Sequence, residues 1–217
     1  MNTAAIILAA GASTRMGGGR HKLLLPLGDR PVLARVLDAA LASRARPIVL
    51  VLGYQAESVH ALIPSYCEHP DIAIIDNPDY LQGMSTSMKL GIQALLSFPG
   101  YRKGKEGTVD SALFLTGDQP LITAEVIDSI IEAFELSRQA GKRIVAPLYG
   151  GQRGNPVLFD ASLFAELLEV TGDEGGRSLL KRHPDEVATV DIEDTKASYD
   201  VDTWEAYQQV LQAWDQR

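Results

Sequence analysis

A chain of 217 residues, 46% of them apolar, can build a sizeable core, and its formal net charge of −8 argues against a general nucleic-acid binder. No apolar run approaches the roughly 18 residues of a membrane span, and the short N-terminal run lacks the basic flank of a signal peptide. The single cysteine, Cys67, excludes an intramolecular disulfide and fits a reducing, cytoplasmic setting, with no evident base beside it in a loop.

Ala5–Ala10 reads as a buried strand that empties into Gly11, Ala12, Ser13, Thr14, Arg15, Met16, Gly17, Gly18, Gly19, Arg20, His21 and Lys22. Glycine lets backbone N–H groups approach phosphate oxygens, and Arg15 and Lys22 add full positive charges. The loop matches neither the Walker A pattern nor the dinucleotide fingerprint. Residues 1–50 hold seven basic residues against Asp29 and Asp38, a local surplus in an acidic chain that suits a small anionic ligand.

Pro31–Ser43 then places Val32, Leu33, Val36, Leu37, Ala40 and Leu41 on one helical face. Strands are predicted over Ile48–Gly53 and Ile72–Asp76, a helix over Ser85–Leu96, and an exposed polar insertion over Pro99–Asp110. The strand Ala112–Thr116 precedes a helix over Thr123–Ala140 that Thr123 caps. Strands Arg143–Pro147, Pro156–Phe159 and Val187–Asp191 alternate with helices Ala161–Leu168 and Arg177–His183, before a last helix over Thr203–Trp214. Continuous apolar strands separated by amphipathic helices predict an α/β fold, three-layer and doubly wound, with a mostly parallel sheet. One domain over residues 1–217 is expected, with ligands at the carboxyl ends of the strands.

That rule brings the first loop together with Gly117 and Asp118, which end the strand Ala112–Thr116. Asp118 reads as a Mg²⁺ ligand shared with phosphates, or as a turn aspartate; beside the basic loop the metal reading is favoured. Asp200 and Asp202 share one side of an extended segment, and Asp202 is either the second metal ligand or the cap of the last helix. Gly83 and Ser87, near Asn77, suit a base or ribose contact or a plain helix start. Asn155, and the turn holding Asp173, Gly175 and Arg177, either line an acceptor pocket or form simple turns. The four histidines show no zinc spacing.

Leu8-Ala9-Ala10-Gly11-x-Ser13-x-Arg15-Met16-Gly17, Lys22-Leu23-Leu24, Gly117-Asp118-Gln119-Pro120, Gly154-Asn155-Pro156, Gly172-Asp173-x-Gly175-Gly176-Arg177 and Asp200-Val201-Asp202-Thr203 together resemble the MobA-like NTP transferase family, and within it the molybdenum cofactor cytidylyltransferases. The resemblance implies a Rossmann-like nucleotidyltransferase fold of the nucleotide-diphospho-sugar transferase type. It implies transfer of CMP from CTP to molybdopterin, release of pyrophosphate, and use of Mg²⁺, with Mn²⁺ as a substitute. A molybdoenzyme or its chaperone would receive the product.

By the same resemblance, Arg15, Lys22 and Asp118 are catalytic and Asp118 and Asp202 hold the metal. Leu8, Ala9, Ala10, Gly11, Ser13, Gly83, Ser87 and Gly117 join them around the nucleotide. Asn155, Asp173, Gly175 and Arg177 face the acceptor. Ala10, where guanylyl-transferring relatives carry glycine, points to cytidine. The longer stretch between Met16 and Lys22 departs from the usual pattern and leaves GTP, or a sugar or polyol phosphate acceptor, as alternatives. A non-catalytic cofactor chaperone and an NAD-linked reductase are weaker readings.

Overall fold

The structure is a computed structural model that describes residues 1–17, 21–97 and 109–216. Its strands are β1 (Thr3–Ala9), β2 (Pro26–Leu27), β3 (Arg30–Pro31), β4 (Ile48–Leu52), β5 (Ile72–Asp76), β6 (Ser111–Thr116), β7 (Ile144–Tyr149), β8 (Gln152–Arg153), β9 (Val157–Asp160) and β10 (Val187–Ile192). Its α-helices are α1 (Val32–Ala42), α2 (Ala56–Leu62), α3 (Pro64–Cys67), α4 (Met84–Ser97), α5 (Ala124–Ser137), α6 (Phe164–Glu169), α7 (Arg177–Arg182) and α8 (Trp204–Trp214).

The central sheet runs β10-β7-β9-β6-β1-β4-β5, with β8 on β7, and β2 and β3 form a small separate hairpin. β1 lies parallel to both β4 and β6 in the middle of the sheet, and helices cover both of its faces, which accounts for its unbroken apolar run. Alternation then sorts its side chains. Ala5, Ile7 and Ala9 face a core completed by α1, α5 and α8, whereas Ala4 and Ile6 face one completed by α4, α6 and α7. Two cores on either side of one sheet make the three layers, as the alternating sequence predicts.

Gly91 brings α4 hard against the sheet. A Cβ there would lie 2.5 Å from Ile6 Cγ2, so no larger residue fits without moving the helix. Gly117 similarly lets the end of β6 pass Ala9, whose Cβ a side chain would meet at 3.0 Å.

One strand breaks the parallel pattern. β9 runs antiparallel between β6 and β7. It therefore begins at the edge where β1, β4 and β6 end, and this carries Asn155 to that edge. β7 and β10 are again parallel to each other, so the segment after β10 also returns there.

The observed limits shift the predicted ones by up to three residues; α5 ends at Ser137 and α6 starts at Phe164, with 3-10 turns over Arg138–Ala140 and Ala161–Leu163. α1 starts at Val32, with Pro31 preceding it instead of opening it. Thr123 caps α5 by accepting from the Val126 N–H, as its position predicts. Cys67, expected in a loop, ends the short helix α3. Most of the predicted Pro99–Asp110 insertion lies outside the described residues. Its end is not exposed: Val109 is buried and Asp110 accepts from the Asn2 N–H at 2.9 Å. Gly18, Gly19 and Arg20 of the first loop likewise lie outside the described residues. Among those described, no helix is long and apolar enough to cross a membrane.

Candidate active site

The registry Leu8–Thr116 and Ala9–Leu52 aligns the ends of β1, β6 and β4, so their exit loops share one edge of the sheet. A cleft of about 680 Å³ opens there. Leu8, Ala9, Ala10 and Gly11 form its floor, and Arg15, Lys22, Asp118 and Asp202 come together along it. Gly83, Ser87, Asn155, Asp173 and Arg177 reach it from the opposite side. A Cβ on Gly11 would meet no protein atom within 4 Å, so it would project into open cleft space; protein packing does not demand glycine there.

Three sequence-predicted residues do not line this cleft. Ser13 instead shapes the loop. Its backbone is left-handed (φ 52°), and its Oγ accepts from the Lys22 N–H at 3.3 Å, closing the loop on itself. Gly117 is a packing glycine under Asp118. Gly175, also left-handed, packs beside Met84 and Met88.

Lys22 is held between two carboxylates, with Nζ 2.5 Å from Asp118 Oδ2 and 2.7 Å from Asp202 Oδ1. Arg15 reaches the other oxygen of Asp202 at 2.7 Å, and its side chain stays 68% exposed. Burial opposes the Lys22 charge, but Asp118 and Asp202 outweigh it and hold the ammonium above its ordinary pKa. Burial also pushes Asp202 up; the bonds and charges of Lys22 and Arg15 prevail and hold it below the usual carboxylate range. Asp200 is raised, chiefly by burial and then by the charges of Asp202 and Asp118.

The choice between cap and ligand at Asp202 goes against the cap. Thr203 accepts from the Ala206 N–H and starts α8, leaving the Asp202 carboxylate for the cleft. The loop is pinned by the Val201 N–H bonding the Asp118 carbonyl at 2.9 Å, and Gln119 donates to the Ser198 carbonyl at 3.1 Å. Gln119 and Tyr80 also line the cleft, although sequence gave neither a role. Gln119 follows the Gly117-Asp118 pair in the sequence; Tyr80 carries no sequence signal of its own.

Two buried polar groups support the frame. His21 donates from Nε2 to the Tyr54 carbonyl at 2.8 Å while Nδ1 accepts from the Leu23 N–H, which requires a neutral ring. Burial lowers its pKa further than the Tyr54 bond raises it, and Lys22 adds to the lowering. Asn77 is buried and donates to Ser87 and Thr86, both at 2.9 Å, fixing the start of α4. Asp173, predicted to face the acceptor, also accepts from the Met84 N–H at 3.1 Å.

The carboxylates of Asp118 and Asp202 already converge on one cation, the Lys22 ammonium, so a divalent metal held by both fits their geometry. Among the described residues no group of three or more His, Cys, Asp or Glu is arranged as a metal cage. A metal here needs further oxygens, which matches the habit of Mg²⁺ to share one or two carboxylates with phosphates.

Residues 5–187 match the MobA-like NTP transferase domain. The chain belongs to the MobA-like NTP transferase family. It is accordingly a nucleotidyltransferase. It is 30% identical to the molybdenum cofactor cytidylyltransferase of Escherichia coli (strain K12), covering 91% of this chain and 90% of that one. It is 28% identical to the nicotine blue oxidoreductase of Paenarthrobacter nicotinovorans, covering 95% of each. Rv0371C of Mycobacterium tuberculosis H37Rv, solved in complex with manganese, superposes with a TM-score of 0.73 at 26% identity, over 98% of this chain and all of that one.

Proposed function

We propose that this chain transfers CMP from CTP to the phosphate of molybdopterin, giving the cytosine dinucleotide cofactor and pyrophosphate. The observation that carries this reading is the meeting of Arg15, Lys22, Asp118 and Asp202 where the strands end and the first loop turns. Residues 1–217 act as one domain, the N-terminal part holding the nucleotide and the C-terminal part the acceptor.

The acceptor phosphate is already anionic, so it needs no general base. One of its oxygens bonds to the α-phosphorus of CTP, the α–β bond breaks, and pyrophosphate leaves with the electron pair. The obstacle is repulsion between two anions, and the protein's task is positioning and neutralising. Arg15 and Lys22 oppose the triphosphate charge, and backbone groups from Gly11 onward lie against it. Asp118 and Asp202 would hold Mg²⁺, which when bound draws charge from phosphate oxygens. Ala10, where guanylyl-transferring relatives carry glycine, lines the cleft, and this supports cytidine as the base. Ser87 and Gly83 face base and ribose, and Asn155 and Arg177 face the acceptor.

The test is pyrophosphate release with Mg²⁺, comparing CTP, GTP, ATP and UTP, each with and without molybdopterin. Release that needs both CTP and molybdopterin is the expected result. Release with GTP moves the chain to guanylyl transfer. Release only with a polyol or sugar phosphate moves it to another acceptor. No release with any pair removes the reading.

A further inference from the structure

Lys22 holds its ammonium at one point, 2.5 Å from Asp118 and 2.7 Å from Asp202. Its backbone lies in a single 3-10 turn, Lys22–Leu24, and a turn that short has little stability of its own. The far end of the turn is tied down. The Leu25 N–H bonds the Lys22 carbonyl at 3.3 Å, and the Leu25 carbonyl accepts at 2.9 Å from the N–H of Val32, the first residue of α1. The near end depends on His21.

We propose that His21 is a positioning residue, which by bridging the Lys22 turn to the Tyr54 carbonyl holds the Lys22 ammonium between Asp118 and Asp202. The inference rests on the nucleotidyl-transfer reading above, which gives that ammonium its task.

The imidazole works in two directions. Nδ1 accepts from the Leu23 N–H at 3.3 Å and caps the turn. Nε2 donates at 2.8 Å to the Tyr54 carbonyl, 33 residues further along the chain. The ring also stacks on Tyr54, with centroids 5.4 Å apart and planes 27° apart. His21 and Leu23 are both buried, so the turn is set into the protein and not laid on its surface. Tyr54 is itself fixed to the cleft floor. Its N–H bonds the Ala10 carbonyl at 3.2 Å, and Gly53 before it packs so closely that a Cβ there would lie 2.8 Å from the Ala10 Cβ. His21 thus refers Lys22 to the strand end where Ala10 lines the cleft. The bond from the Lys22 N–H to Ser13 Oγ ties the loop only to itself.

His21 is not among the residues that line the cleft, so its effect on transfer passes through its neighbour. The flexible stem of lysine turns a small tilt of the backbone into a larger displacement at Nζ. A misplacement of about 1 Å in a reacting site can cost about 10²-fold in rate.

The experiment is a double-mutant cycle between His21 and Lys22. His21→Asn keeps an acceptor for the Leu23 N–H but is too short to reach Tyr54. His21→Gln keeps a donor that reaches Tyr54. Each is made alone and with Lys22→Ala. The readouts are pyrophosphate release and, in the nucleotide-free protein, Mn²⁺ affinity by electron paramagnetic resonance. His21→Asn should lower turnover about tenfold and tighten Mn²⁺ about fivefold, because the ammonium no longer guards the point where the carboxylates converge. His21→Gln should recover most of both. In the Lys22→Ala background neither substitution should change either quantity. Where the Asn variant does not fold, His21→Phe runs the same cycle, keeping a stacked ring and losing both bonds. Equal losses in the two backgrounds, or wild-type turnover or Mn²⁺ affinity in a folded variant without the Tyr54 bond, would overturn the assignment. If the unaltered chain transfers no nucleotide, the reading beneath falls, and the Mn²⁺ cycle still decides whether His21 positions Lys22.

Discussion

Lys22→Ala should have two opposite effects. In the structure the Lys22 ammonium occupies the point where Asp118 and Asp202 converge, at 2.5 and 2.7 Å. A divalent cation entering that point meets a positive charge that must move aside but stays near. Two unit charges 4 Å apart in water interact by about 1 kcal/mol, so a divalent ion beside the displaced ammonium loses about 2 kcal/mol. Removing the ammonium should therefore tighten Mn²⁺ binding to the nucleotide-free protein by about 30-fold. The same change removes a cation that opposes triphosphate charge, so turnover should fall by about 10²–10³. Mn²⁺ affinity is read from the electron paramagnetic resonance signal of the free ion, and turnover from pyrophosphate release. Mn²⁺ affinity that is unchanged or weaker in Lys22→Ala would refute the competition between ammonium and metal.

Asp118→Asn should fold normally yet lose at least about 10² in turnover, because the amide removes a negative oxygen from the convergence point; near-normal metal-dependent turnover would remove Asp118 from the site. His21 is buried neutral, with its pKa below the ordinary value, so the unfolded chain takes up a proton that the folded one refuses. Its contribution is fully present above about pH 6.5 and is lost as pH falls below that value. Melting temperatures of the wild type and His21→Gln should thus converge on acidification, and a gap that widens would contradict the neutral ring. Gly91→Val should cost about 1–3 kcal/mol, since the added side chain starts 2.5 Å from Ile6 Cγ2 in a core with no room; an unchanged melting temperature would show that α4 can move away.

Where local chemistry decides, the sequence was readable. The apolar run before Gly11 is buried on both faces because helices cover both sides of the sheet, and its exit loop lies at the sheet edge as the strand-end rule requires. Thr123 caps its helix because a β-branched hydroxyl at that position has one obvious partner. Direction was less legible. Val157–Asp160 is as apolar as its neighbours, and nothing in it tells that it runs antiparallel. Asp202 was ambiguous because Thr203 beside it is an equally good cap, and only the hydrogen bond to Ala206 separates them. Ser13 reads as a phosphate contact but spends its oxygen on the Lys22 N–H.

The most direct measurement of the central claim is the mass of the product formed from CTP and molybdopterin by the purified chain with Mg²⁺. The account predicts a dinucleotide in which the molybdopterin phosphate is joined to CMP through a pyrophosphate bond, formed in step with released pyrophosphate. Unaltered molybdopterin beside intact CTP, under conditions where both bind, would contradict it.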